Sequence, residues 1–277
     1  YPLIDFHGNN GSQFGDGPAA MRYTEAKLSK LAEEGLLDNL GKNTVDWIPN
    51  FTNEEEEPST LPAIFPGLFC LPNQGMGYGA ACHFVTYNLH EVADMIEKYL
   101  TTDEVSVIYP DFASGGTLIN PKIVDTIAAT GKGSVIIDSV YTIKGYEIEF
   151  TEIPFNIAFD DIMDEVSELW NKETIAGIAD VRNNSGAGKL SLIIEVDKDY
   201  EPEQIAEKLL ATTKLRNSYP VNQVALVDNQ PKLLTTKEMI DVYVNHNLNC
   251  IKREFKYEYD KTIARIHILE GLIWAVQ

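Results

Sequence analysis

A tyrosine beside an arginine is the pairing with the most chemistry to offer in this chain. Tyr23 follows Arg22 in the run Ala19-Ala20-Met21-Arg22-Tyr23-Thr24-Glu25, between a glycine-rich loop and a stretch whose spacing predicts a helix. A phenol exposed at a helix start with a fixed cation beside it is a candidate nucleophile toward a phosphodiester. The cation favours phenolate and neutralises charge gathering on the phosphorus oxygens. A phenol ordinarily ionises near pH 10, so few are charged at neutral pH and activation has to be supplied. The chain holds 13 tyrosines, and the commoner fate of a tyrosine is a packed ring whose hydroxyl finds a partner. Local chemistry alone leaves both readings of Tyr23 open.

Other chemistries have less to stand on. The five histidines, His7, His83, His90, His246 and His267, show no metal-ligand spacing. Cys70, Cys82 and Cys250 form no C-x-x-C pair and are odd in number, which predicts reduced thiols in a cytoplasmic protein rather than a disulfide framework or zinc site. No metal site is therefore expected in the chain. His7 stands out only because its loop leads toward Tyr23. Gly75-x-Gly77-x-Gly79 follows Pro72 and precedes no Gly-Lys-Ser/Thr, so a nucleotide loop is not expected there. A relaxase would need a histidine cluster and a tyrosine recombinase an Arg/His set around its tyrosine; neither spacing is present.

The elements that must position these residues read as a mixture. Residues 1–22 read as loop, with Gly8, Gly11, Gly15, Gly17 and the turn-forming Asn9-Asn10. From Thr24 to about Leu40 the apolar spacing predicts an amphipathic helix that Gly41 stops. On such a helix Lys27 and Lys30 would share a face available to phosphate. The run Glu54-Glu55-Glu56-Glu57-Pro58 reads as an exposed loop and a domain boundary, and residues 61–79 as irregular backbone. Strands are predicted at 105–108, 134–137, 146–153 and 190–196, and helices at 90–100, 160–172, 201–210 and 236–245. From Cys250 onward, apolar residues recur at three- and four-residue steps, which predicts one long helix. Strands and helices without strict alternation give an α+β class.

Composition sets the bounds. A 277-residue chain with 44% hydrophobic and 23% charged residues is long enough for one large or two smaller cores. It has no apolar run near the roughly 18 residues that span a bilayer and nothing like a signal peptide. A net charge of −20 opposes a phosphate-binding surface. The charge is uneven, however: residues 1–30 sum to zero and 251–277 to +1, so residues 31–250 hold −21. An acidic body can repel DNA everywhere but its intended channel, or it can be a plain solvated surface.

The segment Tyr1 to Ser29 resembles the active-site segment of the A subunit of bacterial type IIA DNA topoisomerases, the DNA gyrase and topoisomerase IV family. Asp5, Gly8, Asn9, Gly11, Ser12, Gly15, Asp16 and Pro18 to Glu25 carry that likeness. It continues through Phe65-Pro66-Gly67-Leu68, Gly75 to Ala80, Tyr87 to Val92, Pro110-Asp111-Phe112, Thr130 to Gly133, Thr151 to Phe155, Gly177 to Arg182 and Ala264 to Gly271, and so covers nearly the whole chain. Departures are Phe6 and His7 in place of glycine and glutamine, Gly17 for a frequent serine, Asn183-Asn184 for acidic residues and Asn247 for an arginine. They describe a divergent member.

The resemblance implies a DNA-cleaving and religating subunit in which Tyr23 attacks DNA, Arg22 assists, and Met76 wedges between base pairs, with Asn73 and Gln74 as polar contacts. The partners it implies are double-stranded DNA and a topoisomerase B subunit, in an A₂B₂ assembly. It also implies a homodimer of the intact protein, Mg²⁺ held mainly by the B subunit, and ATP used by that partner. It further implies the remainder of a winged-helix domain over 1–52, a mixed α/β tower domain over 53–249 and the start of a coiled-coil helix over 250–277. The opening inside a motif leads us to expect a piece of a longer protein, with a basic helix-turn-helix preceding Tyr1, a piece that neither closes the coiled-coil gate nor relaxes DNA alone. The competing expectation is a non-catalytic DNA-scaffolding or interaction module that kept the fold and lost the chemistry.

Overall fold

In the computed structural model the described residues are 1–12, 17–77, 80–186 and 188–276. Gly15, Asp16, Tyr78 and Gly79 of the motifs above lie outside them. The mixed α/β architecture divides into two compact units: one of Tyr1–Asp5, Ala26–Gly67 and Lys237–Gln277, the other of Phe6–Glu25 and Leu68–Thr236.

Strands β1 (Ile4–His7) and β2 (Glu25–Leu28) pair with each other, and the division between units falls inside this ribbon. Both stretches depart from expectation: 4–7 is strand rather than loop, and the helix predicted from Thr24 begins only after Ser29. The cause is a cap. Ser29 is buried, its Oγ accepts from Ala32 N at 3.2 Å and donates to Pro2 O at 2.9 Å, so the helix start is fixed there. Helix α1 (Lys30–Ala32) then widens into a π-type turn over Glu33–Leu37. Gly35 sits in that turn because a Cβ on it would lie 2.9 Å from the Phe65 Cβ. The acidic run also departs from a loop: β3 (Trp47–Pro49) pairs antiparallel with β4 (Glu56–Pro58), so half the run is strand.

After α2 (Gly67–Cys70), β5 (Asn73–Gly77) and β6 (Ala80–Phe84) form a ribbon, so β5 is strand where irregular backbone is predicted over 61–79. Helix α3 (Leu89–Thr102) starts at Asn88, whose side chain accepts from His90 N, and buries Val92 and Met95. The predicted strand at 105–108 does not form; Val107 and Tyr109 are exposed and Pro110 follows. Strand β7 (Thr117–Leu118), helix α4 (Ile123–Thr130) and strand β8 (Lys132–Asp138) come next.

Strands β9 (Val140–Lys144) and β10 (Glu147–Glu152), helix α5 (Phe159–Asn171), strands β11 (Ile178–Asn183) and β12 (Leu192–Val196), and helix α6 (Pro202–Thr212) make a second layer pair. Its antiparallel sheet runs β11-β12-β10-β9. Phe150, Leu192 and Ile194 from the sheet share one core with Phe159, Ile162 and Val166 of α5 and Ile205 and Leu209 of α6. Those helical spacings of three and four are the reason both helices are legible in the sequence. Strand β13 (Arg216–Asn222) returns to complete the first sheet, in the order β5-β6-β13-β8-β7 with antiparallel neighbours. Strands β14 (Val224–Val227) and β15 (Gln230–Leu233) form a separate hairpin.

Helix α7 (Thr236–Val276) is continuous over 41 residues, joining the helix expected over 236–245 to the one expected from Cys250 onward. Near its middle Arg253 donates to Asn43 O at 2.7 Å, Val45 O at 2.9 Å and Asp46 Oδ1 at 2.8 Å, and Lys42 bridges Glu254 at 2.9 Å and Glu258 at 3.3 Å.

Candidate nucleic-acid interface

The tyrosine is built from the loop before it. Strand β1 ends at His7, which is exposed, and the chain turns at Gly8 with φ +103°. Glycine is required twice over there. The backbone lies where L side chains rarely go, and a Cβ would sit 2.9 Å from the Tyr23 carbonyl oxygen. Asn9 ties the loop to itself: its Oδ1 accepts from Gly11 N at 2.9 Å, its backbone carbonyl accepts from Ala19 N at 3.0 Å, and its Nδ2 reaches Gly17 O at 3.4 Å. The sequence marks Gly8 as a loop glycine and Asn9 as a turn former; the structure adds the positive φ and the side-chain tie.

Met21–Tyr23 is a single 3-10 turn, not a helix start, closed by Tyr23 N to Ala20 O at 2.9 Å. The turn throws its side chains outward. Met21 is 92% exposed and Tyr23 67%, and the Arg22 guanidinium carbon lies 4.6 Å from the Tyr23 ring centroid. A cation over a phenol face is attracted by the ring quadrupole, which sets positive charge beside the Tyr23 ring.

The second group of predicted residues lies on the β5–β6 ribbon. Asn73 faces Phe84, Gln74 faces His83, and Met76 faces Ala81. Asn73 and Gln74 are exposed, and Asn156 Nδ2 donates to Gln74 Oε1 at 3.4 Å. Met76 is 91% exposed, which removes the gap-filling core role open to a methionine. The ribbon stands on a firm base. The Asn222 side-chain amide donates to Ala81 O, Tyr219 Oη donates to Phe84 O at 3.2 Å, and the Tyr219 ring packs edge-on to His83, Phe112 and Phe155. Burial pushes the Tyr219 phenol above its ordinary range, Cys82 adding to the effect.

Lys27 and Lys30 do not share a helix face. Lys27 lies on β2 and Lys30 on α1, because Ser29 caps between them. Lys30 reaches Glu34 at 3.6 Å with both side chains in solvent, a pairing worth little. Tyr23, Arg22, Asn73, Gln74 and Met76 belong to one compact unit, Lys27 and Lys30 to the other. Among the described residues no group of three or more His, Cys, Asp or Glu side chains is arranged to hold a metal ion, so the donor set for Mg²⁺ is not found in them. Among the described residues no helix is long and apolar enough to cross a membrane.

Comparison with known proteins gives this geometry its setting. The family model for the A chain of DNA gyrase/topoisomerase IV matches residues 1–277, and the chain belongs to that family. It is 40% identical over 286 residues to the DNA gyrase A subunit of Mycoplasma genitalium, covering 99% of this chain and 34% of that protein. It is 35% identical to the DNA gyrase A subunit of Clostridium acetobutylicum, over 98% of this chain and 34% of that one. It is 35% identical to the DNA topoisomerase 4 A subunit of Staphylococcus epidermidis, over 99% of this chain and 36% of that one. The chain thus spans about a third of the length of these relatives.

Proposed function

We propose that the chain is the strand-cleaving and religating part of a type IIA topoisomerase A subunit, with Tyr23 as the nucleophile. The observation that carries the reading is the pairing of an exposed Tyr23 ring with the Arg22 guanidinium 4.6 Å away, in a chain of this family. The Tyr23 phenolate oxygen attacks a DNA phosphorus, and the bond from phosphorus to the 3′ oxygen breaks. A 5′-phosphotyrosyl ester forms, and the departing oxygen takes up from solvent the equivalent of the proton the phenol gave up, so a 3′-hydroxyl is released. The ester keeps the bond energy, so the 3′-hydroxyl attacks back and restores both strand and tyrosine without external energy. Arg22 orients the phenol and offsets charge on the phosphate oxygens. Met76, on its ribbon, enters a base step and bends the duplex, a few kcal/mol of unstacking being offset by contacts the bent form allows.

In this reading the intact enzyme is an A₂B₂ assembly working on double-stranded DNA, with ATP-driven strand passage belonging to the whole. A divalent cation, held chiefly by the B subunit, supplies further charge neutralisation at the phosphate. The test is covalent capture of DNA by the full-length A subunit with its B subunit. Tyr23→Phe removes one exposed hydroxyl and is expected to abolish capture with the melting temperature unchanged. A covalent adduct formed by the Phe variant sinks the assignment.

A further inference from the structure

From Pro58 to His90 the chain has no Asp, Glu, Lys or Arg, although it carries 42 acidic residues in all. This uncharged stretch contains the whole β5–β6 ribbon. The β14–β15 hairpin lies against β6 and carries only Asp228 and Lys232, whose charges cancel. Asp228 and Asn229 form its two-residue turn with φ of +53° and +61°, the left-handed geometry that fits a tight, rigid hairpin. Between the two ribbons lies a cavity of about 380 Å³, lined among others by Met76, Cys82, Val224, Leu226 and Pro231. Leu226 is 71% exposed, and Pro231 is its cross-strand partner. Scattered exposed apolar residues need no explanation. Two large ones on separate rigid ribbons, rimming one uncharged apolar cavity of a chain at −20, make a patch.

We propose that Leu226 is a second apolar contact to DNA beside Met76, and that the occupant of this rim is a duplex bent at the Met76 step. The inference rests on the reading of Met76 as a wedge. A kinked step exposes sugar edges and base faces that water covers poorly, and an apolar rim covers them. The cavity lining carries no carboxylate, and Asp228 at the hairpin turn is offset by Lys232, which lets phosphates come this near an otherwise acidic chain. Leu226 and Pro231 pack on the sugars next to the opened step, and the ribbon at Asp228–Asn229 keeps them at fixed height.

The test measures end-to-end energy transfer across a dye-labelled duplex, together with covalent capture, using the full-length A subunit with its B subunit. Leu226→Ala is expected to lower the bent fraction and capture about tenfold, a factor that fits the loss of one buried apolar side chain. The salt slope of DNA affinity stays unchanged, because no phosphate contact is lost. Leu226→Met is expected to keep most of the bend, and Leu226→Glu to lose more than Ala. Should Met76→Ala lower the bend while Leu226→Ala leaves it untouched, the Leu226 contact is overturned and the wedge reading stands. If neither variant changes the bend while Tyr23 still captures DNA, the wedge itself falls. Equal losses in Leu226→Ala and Leu226→Met, with a lowered melting temperature, trace to a damaged ribbon and also overturn the contact.

Discussion

Gly8 shows how a residue without a side chain positions one with chemistry. Its φ of +103° and the 2.9 Å clearance to the Tyr23 carbonyl leave no room for a methyl group. Gly8→Ala therefore either pushes the Tyr23 turn outward or strains the loop by about 1–3 kcal/mol. In the proposed mechanism a displacement near 1 Å costs about a hundredfold in rate, so covalent capture is expected to fall by that order while the melting temperature drops only a few degrees. Capture at the wild-type rate would show that the loop does not set the phenol. The identity of the candidate nucleophile was legible because residue types and order carried it: a tyrosine after an arginine in a long motif. What held it was not legible. The Asn9 ties and the Gly8 backbone depend on distances that no spacing rule encodes.

At the scale of elements, the misread segments share a cause. Ala26, Leu28 and Leu31 fit a helical stripe, yet Ser29 caps the chain between them and leaves β2 on the near side. Strand β5 falls in the interval expected to be irregular because Gly75 and Gly77 are poor strand formers; support for its ribbon comes from β13, about 140 residues further on. Helices α5 and α6 were legible because each buries a three-and-four stripe on one sheet. Met76 belongs to this scale too. At 91% exposure it supports little of the fold, so Met76→Ala is expected to change stability by less than about 0.5 kcal/mol. A loss of DNA bending in that variant then reports on the duplex and not on the ribbon. Arg253 is the opposite case. Its guanidinium satisfies the carbonyls of Asn43 and Val45, so Arg253→Ala is expected to cost about 1–3 kcal/mol in thermal or urea unfolding. Arg253→Lys should recover only part, since one ammonium cannot span the same acceptors. No change in either variant would show that this part of α7 is held by packing alone.

For the whole molecule, charge and burial set behaviour with pH. Tyr87 is 5% exposed, and burial pushes its phenol from 10 up to about 12. A raised pKa means the folded state holds its proton more tightly than the unfolded state. The contribution is complete below pH 10 and is lost as pH rises through about 12, because the unfolded chain releases the proton first. Stability should therefore fall between pH 10 and 12, with Tyr87, like Tyr141 and Tyr219, ionising above the ordinary phenol range in absorbance at 295 nm. Tyr87→Phe is expected to flatten that decline. An unchanged alkaline slope in the Phe variant would remove Tyr87 as the cause. Composition made the acidic body legible, and the uncharged interval from Pro58 to His90 was equally present in the sequence. Only the fold turns that interval into a surface, by laying the β14–β15 hairpin against it.

The grip on α7 has a mechanical consequence. Arg253 and Lys42 engage successive turns of the helix through the 42–46 loop, and 23 residues of the same rod continue past Arg253 to Val276. The helix is therefore tied at these turns to the 42–46 loop, and through it to the ribbon that opens at Trp47, so bending or twisting applied beyond Arg253 acts on that loop.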